Sequence, residues 1–144
     1  MKVAVMGGGA GALAVASELA LAGHQVGLCE SSSFIDNLSA LQLRGGVVFT
    51  DEYPPGKGEL CRLCCITTDP AETVCQVEVI LIIVPSFGQR TFMEMIIPHL
   101  EDGQLVVFIP GNFGSIEFEG MLRQKGVTKD ILIAETESLP MSCN

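Results

Sequence analysis

The sequence lacks tryptophan, has one tyrosine, and carries only 8 lysines and arginines against 17 aspartates and glutamates. A net charge of −9 argues against a nucleic-acid-binding protein that neutralises phosphates. The longest apolar run, Val79 to Val84, is far shorter than the roughly 18 residues of a membrane helix. Glycines and Glu18 interrupt the first 23 residues, which therefore do not resemble a secretory signal. We expect a cytoplasmic protein with no nucleic-acid or membrane partner, in which backbone amides hold any anionic ligand.

Residues for acid–base and metal chemistry are also scarce. The two histidines, His24 and His99, stand far apart, and no histidine follows a predicted strand as a proton donor would. Six cysteines are present, and Cys61, Cys64 and Cys65 have half of a zinc-ribbon spacing. A structural zinc site needs four ligands, and no second CxxC or paired histidine follows. We therefore expect no metal, reduced thiols that are buried or half-buried, and no catalytic residue within the chain.

What is present is a regular alternation of apolar runs and amphipathic stretches. At 144 residues and 48% hydrophobic, residues 1–144 are predicted to form one domain with its own core. Strands are predicted over 2–6, 25–29, 43–49, 60–67, 79–84, 105–109 and 131–134, with a loop over 50–58. Helices are predicted over about 10–22, 34–41, 87–100 and 115–125, and one is predicted to begin at Pro70 with Asp69 as its cap. This pattern predicts an α/β fold, a Rossmann-type doubly wound, mainly parallel sheet with helices on both faces.

The sharpest motif is the glycine-rich turn VMGGGAGA at residues 5–12, between the first strand and the first helix. Residues 7–12 fit the pattern G-x-G-x-x-A of dinucleotide-binding turns. In this pattern Gly7 makes the tight turn, Gly9 lets a pyrophosphate approach, and Ala12 lets the helix pack on the sheet. The amides of Gly9, Ala10 and Gly11 would face the phosphates at the positive end of the helix dipole. The turn therefore predicts dinucleotide binding, although such turns also occur without a ligand.

An acidic residue, Glu30, ends the second predicted strand about 20 residues after the glycine turn. A carboxylate at this place accepts hydrogen bonds from the adenosine ribose hydroxyls and repels a 2′-phosphate. The serines at 31–33 are a competing feature, because their hydroxyls could hold a phosphate, but no arginine is nearby. We predict NAD as the cofactor, with NADP as the alternative.

Three later strand ends carry unusual residues, namely VPSF at 84–87, IPGNFGS at 109–115 and ETESLP at 135–140. Each also has a purely structural interpretation, with Ser86 and Ser115 as helix caps and the last segment as an exposed exit. Because ligands of doubly wound sheets bind at the carboxyl ends of the strands, the three together predict contact with a nicotinamide and a substrate.

These segments resemble the N-terminal domain of the opine dehydrogenase family, which includes octopine and nopaline dehydrogenases. The resemblance lies in GGGAGA, VILIIVPSFGQ, EDGQLVVFIPGNFGSIEF and AETESLPMSCN. It implies reductive condensation of an amino acid with a 2-oxo acid such as pyruvate, with hydride from NADH or NADPH. It also implies that a catalytic His–Asp pair lies in a second, mostly helical domain absent from this chain, so that this chain alone is inactive.

The resemblance also implies roles for single residues. Gly7, Gly9 and Ala12 would hold the pyrophosphate and Glu30 the ribose. Residues beside the nicotinamide would be Pro85, Ser86 and Asn112, and residues near the substrate would be Asn112 and Cys143. The chain has Asn144 where relatives commonly have a basic residue, which leaves the substrate role of the final segment open.

Two alternatives remain open from the sequence. One is a ketopantoate-reductase-like or glycerol-phosphate-dehydrogenase-like oxidoreductase, and the other is a non-enzymatic module that binds NAD. The high apolar content also predicts a surface built to meet a second domain, through which this chain would self-associate as a homo-oligomer.

Overall fold

The structure, a computed structural model, describes residues 1–49 and 58–140. Its strands are β1 Lys2–Met6, β2 Gln25–Cys29, β3 Gly46–Phe49, β4 Glu59–Arg62, β5 Cys65–Thr67, β6 Val79–Ile82, β7 Leu105–Phe108 and β8 Leu132–Glu135. Its α-helices are α1 Ala10–Leu21, α2 Asp36–Arg44, α3 Pro70–Val74, α4 Ser86–Ile96 and α5 Gly114–Gln124. Short 3₁₀-helices cover Ser32–Phe34 and Ile97–His99. Within the described ranges, no helix combines the length and the apolar character needed to cross a bilayer.

Six strands form one sheet in the order β5-β2-β1-β6-β7-β8, and every neighbouring pair is parallel. The chain builds outward from β1 in one direction through β2 and in the other through β6. The carboxyl ends of β1 and β6 therefore flank the point where the strand order reverses, which is where doubly wound sheets bind ligands. The predicted fold class is confirmed.

Helices cover both faces of this sheet, as the alternation along β1 shows. Ala4 and Met6 belong to a core cluster that α3, α4 and α5 complete, whereas Val3 and Val5 belong to a second cluster with α1 and α2. In the first cluster Phe108 of β7 meets Phe118 of α5 edge-to-face, with ring centroids 5.6 Å apart. Burial of both faces explains why these strands are almost continuously apolar.

Two predicted strands are wrong in their extent. Leu43 and Arg44 end α2, which Gly45 terminates at φ +70°, so β3 begins only at Gly46. The run predicted over 60–67 is divided between two sheets, because β4 pairs antiparallel with β3 while β5 pairs parallel with β2. The chain crosses between them at Leu63, whose N–H donates to the Gly45 carbonyl at 3.3 Å. Most of the predicted loop 50–58 lies outside the described residues.

The other elements lie within a few residues of their predicted positions, and one predicted cap is present. Asp69 accepts a hydrogen bond from the Ala71 amide at 2.9 Å, and Pro70 is the first residue of α3. The predicted helix over 87–100 is α4 followed by the 3₁₀-turn Ile97–His99, because Pro98 has no amide hydrogen to continue the α-helical hydrogen bonds.

The five described cysteines are free. Two of them are exposed, which differs from the predicted burial or half-burial of the thiols. Cys64 and Cys75 are exposed, Cys65 is half-buried, and Cys29 and Cys61 are buried. Burial raises the pKa of the Cys29 thiol to about 12. Cys64 is exposed because it lies in the crossing between the two sheets, and Cys75 because it lies just after α3.

Candidate functional site

The glycine turn lies at the carboxyl end of β1, beside the end of β6. Gly7 has φ +121°, and a Cβ there would lie 2.6 Å from the Ile83 carbonyl oxygen and 2.8 Å from Val84 Cγ1. Its amide donates to the Cys29 carbonyl at 2.8 Å, which ties the turn to β2 as well. Only glycine satisfies both the backbone conformation and the close approach, in agreement with its predicted place at the tight turn.

Gly9 is the N-cap of α1 and has open space around it. A Cβ at Gly9 would meet nothing within 4 Å, and no side chain caps the helix. Among the described residues the amides of Gly9, Ala10 and Gly11 donate to no acceptor. The turn thus presents unpaired N–H groups at the positive end of a helix, an arrangement that binds phosphates in other proteins. Ala12 is buried against the sheet, as predicted.

Glu30 follows β2 and reaches back to the glycine turn. Its two carboxylate oxygens accept separate backbone hydrogen bonds, Oε2 from Gly8 at 2.8 Å and Oε1 from Ser31 at 2.6 Å. The residue is 6% exposed. The spare lone pairs of each oxygen leave it able to accept ribose hydroxyls. Its position beside the turn agrees with the predicted ribose contact, which stays a prediction.

Leu139 also packs on the glycine turn, a contact that sequence reasoning missed. A Cβ at Gly11 would lie 3.0 Å from Leu139 Cδ2. Leu139 is half-buried and joins the same core cluster as Ile83 and Ile109. The segment after β8 therefore lies over the start of α1, and Gly11 lacks a side chain where this leucine packs. Nothing local in the sequence indicates this pairing, because the two residues are distant along the chain.

The three residues predicted beside the nicotinamide lie together at the ends of β6 and β7. The Asn112 side-chain amide donates to Ser86 Oγ at 3.2 Å, and Pro85 is the N-cap of α4. Both capping interpretations from the sequence are wrong. Ser86 is the first residue of α4, and the N-cap of α5 is not Ser115 but Phe113, in a left-handed conformation with no capping side chain. Ser86 is therefore free to bind Asn112.

The loop that carries Asn112 is held from both sides by Gln89 and Glu135, which lie in segments named above but had no individual role predicted. From α4, the buried Gln89 donates to the Pro110 carbonyl at 2.8 Å. From the end of β8, Glu135 accepts a hydrogen bond from the Ser115 amide at 3.1 Å. A polar residue on the buried face of an amphipathic helix was a signal for Gln89.

Several predicted features lie away from this edge or outside the described residues. Cys143 lies outside the described residues, so its substrate role stays a prediction. His24 contacts the N-terminal amino group at 3.4 Å, and His99 lies after α4. Phe87 and Phe113 are 91% and 75% exposed at the edge. The predicted self-association through an apolar surface stays a prediction.

Comparison with known proteins connects this geometry to a family. No family model matches the chain. An opine dehydrogenase from Arthrobacter sp. (strain 1C) is 30% identical over 97% of this chain and 38% of its own length. An opine dehydrogenase from Haliotis discus hannai is 35% identical over 57% of this chain and 20% of its own length. The predicted resemblance to the opine dehydrogenases is confirmed. The chain spans well under half the length of these curated relatives.

Solved structures agree with the sequence comparison. Octopine dehydrogenase with NADH and pyruvate superposes with a TM-score of 0.79 at 25% identity, covering 99% of this chain and 37% of that one. The same enzyme with NADH and L-arginine gives 0.77 at 26% identity, covering 99% of this chain and 36% of that one. A ketopantoate reductase from Ralstonia eutropha gives 0.65 at 23%, covering 93% and 40%. NADP⁺-bound yersinopine dehydrogenase gives 0.70 at 16%, covering 93% and 34%. The last two show the shared fold alone.

Proposed function

We propose that this chain is the dinucleotide-binding part of an opine-type dehydrogenase. The enzyme would condense an amino acid with a 2-oxo acid such as pyruvate and reduce the product. The observation that carries the proposal is the glycine turn, where three amides with no acceptor among the described residues, and an open Gly9, lie beside the Glu30 carboxylate. The similarity to opine dehydrogenases along nearly the whole chain supports the reaction class.

The described residues fit a nicotinamide dinucleotide. The amides of Gly9, Ala10 and Gly11 would hold the pyrophosphate without any basic side chain, which allows an acidic protein to bind an anionic ligand. Glu30 would accept the ribose hydroxyls, and Ser86 and Asn112 would lie beside the nicotinamide. When bound, the reduced nicotinamide would supply hydride to the substrate carbon.

We further propose NAD in preference to NADP. The Glu30 carboxylate is held against the turn by two backbone amides, so it cannot swing away from an additional phosphate without losing them. A 2′-phosphate placed there would meet a buried negative charge. The structures of octopine dehydrogenase were determined with NADH, which supports this choice. The five cysteines in the described part of the chain are free, which is compatible with a reducing compartment such as the cytoplasm.

Substitution at Gly9 tests the binding site without disturbing the fold. Because nothing lies within 4 Å of a Cβ at Gly9, and its φ of −75° suits any L-residue, Gly9→Val should fold normally. Its side chain would occupy the path of the pyrophosphate, and we expect NADH affinity, measured by the fluorescence of the reduced nicotinamide, to fall at least about tenfold. Gly120→Val is the matched control, since a Cβ at Gly120 in α5 also meets nothing within 4 Å. Equal NADH affinity of Gly9→Val and wild type would contradict the proposed site.

The reaction itself is tested on a protein that contains this chain together with a catalytic domain. NADH oxidation that requires both an amino acid and pyruvate would support an opine-type reaction. Oxidation with a 2-oxo acid alone would favour the simple reductase, the class suggested by the ketopantoate reductase fold. NADH binding without turnover of any such pair would favour a non-enzymatic module.

A further inference from the structure

We propose that Glu135 is a positioning residue of the cofactor site, whose carboxylate holds loop 110–113 in the shape that presents Asn112. The inference rests on the proposed function, since that function places Asn112 beside the nicotinamide. Neither the glycine motif nor the family resemblance assigns a role to Glu135.

The Glu135 side chain lies directly against the backbone of this loop. A Cβ at Gly111 would lie 2.6 Å from Glu135 Oε2 and still closer to the rest of that side chain, so only glycine leaves room for the glutamate. The Gly111 amide donates to the Thr136 carbonyl at 2.8 Å, which extends the contact to the residue after Glu135. The loop and the end of β8 thus form one packed unit.

Glu135 also supplies the cap that α5 otherwise lacks. The N-cap residue, Phe113, has no oxygen in its side chain, and the Ser115 amide in the first turn has no acceptor in its own helix. Glu135 Oε2 accepts from that amide at 3.1 Å. A carboxylate at the start of a helix is also favoured by the helix dipole. The hydroxyl and amide of Ser115, with the Phe113 amide, lower the pKa of Glu135, so the carboxylate is ionised at neutral pH.

The loop needs stabilising contacts from neighbouring elements, because its backbone conformation is unfavourable by itself. Asn112 has φ +48° and Phe113 has φ +66°, both in the left-handed region that few L-residues adopt. Gln89 fixes the beginning of the loop through the Pro110 carbonyl. Glu135 fixes its end, after the two left-handed residues. Without the Glu135 contact, the loop could change conformation and Asn112 could lose its hydrogen bond to Ser86. The glycine turn lies on the other side of the switch point and would stay intact.

The experiment compares two probes on the 144-residue chain, NADH and ADP-ribose, which lacks the nicotinamide. We expect Glu135→Ala to weaken NADH binding roughly tenfold, the loss expected for one charge-assisted hydrogen bond. ADP-ribose binding should stay within about twofold of wild type, as the glycine turn and Glu30 are untouched. The fluorescence change of NADH on binding should also diminish, because it reports the surroundings of the nicotinamide.

Two further variants separate positioning from a general loss of structure. Glu135→Gln keeps an oxygen that can accept from the Ser115 amide, and we expect it to recover most of the NADH affinity. Glu119→Ala is the matched control, because it removes a glutamate of α5 that is paired with Arg123 on the same helix and not with the loop. It should bind both probes as wild type does.

Three results would overturn the inference. Wild-type NADH affinity in Glu135→Ala would show that the loop does not need this carboxylate. Equal weakening of NADH and ADP-ribose would show a global effect of the substitution. If the wild-type chain bound neither probe, the proposed function would fail and this inference with it, an outcome distinct from the first two.

Discussion

Glu30 offers a sharp test of the site, because its two carboxylate oxygens each satisfy a different backbone amide. Glu30→Gln preserves the size and shape of the side chain but replaces one oxygen with an NH₂ group. Whichever way the glutamine turns, the NH₂ faces either the Gly8 or the Ser31 amide, and two donors cannot bond to each other. One backbone amide is therefore left without its acceptor.

The size of the effect follows from which amide is left unpaired. An orphaned buried donor costs about 1–3 kcal/mol. Ser31 is 8% exposed, whereas Gly8 is only half-buried, so the glutamine should keep its oxygen on Ser31 and leave Gly8 to water. We therefore expect Glu30→Gln to lower the free energy of unfolding by about 1–2 kcal/mol, the lower part of that range. Glu30→Ala removes both acceptors and should cost about twice as much.

Urea unfolding followed by circular dichroism measures these losses, since a chain without tryptophan and with one tyrosine gives a weak intrinsic fluorescence signal. Glu78→Gln is the matched control. Glu78 is exposed and accepts one backbone hydrogen bond, from Lys2 at 2.9 Å, so a glutamine can turn its oxygen to that amide at little cost. Equal free energies of unfolding for Glu30→Gln and Glu78→Gln would show that Glu30 does not need both oxygens to satisfy the Gly8 and Ser31 amides.

The same variant tests the choice of cofactor. Removing the negative charge at residue 30 removes its repulsion of a 2′-phosphate, so the preference for NADH over NADPH should narrow. Fluorescence titrations of both cofactors measure the ratio. An unchanged ratio in Glu30→Gln would remove Glu30 from the ribose site, even if the loss of stability were as expected.

Two other predictions concern the backbone of the turn and the thiols. Gly7→Ala should lower the free energy of unfolding by at least about 2 kcal/mol, since it adds a clash with backbone to an unfavourable φ. Gly23→Ala, at φ +86° with open space around it, should show only the smaller conformational cost, and equal losses would contradict the clash. In thiol labelling near pH 8, Cys64 and Cys75 should react rapidly and Cys29 only on unfolding, because its pKa of about 12 keeps it protonated. Rapid labelling of Cys29 in the folded chain would contradict its raised pKa. The free energy of unfolding that Cys29 contributes is present below its unfolded pKa, near 9, and is lost as pH rises towards 12.

The sequence predicts those elements whose causes are local. The strands β1 and β2 lie where expected because each is a short apolar run bounded by glycine or a polar residue. The start of α3 is equally local, with Asp69 and Pro70 adjacent. The run over 60–67 fails because its two halves have different partners, β3 and β2, and a local pattern contains no information about pairing.

In the candidate site too, features formed by residues adjacent in sequence are predictable, and contacts between distant segments are not. The glycine turn and its amides are predictable, because a strand, a turn and a helix that follow one another along the chain produce them. The contacts of Gly11 with Leu139 and of Gly111 with Glu135 are not, since each joins segments brought together only by the sheet. Both glycines lack a side chain because a later segment packs there. The end of β8 and the residues after it thus touch the turn at β1 and the loop after β7, which places that segment beside the candidate site. A substitution there should therefore alter cofactor binding even though it lies outside the glycine motif.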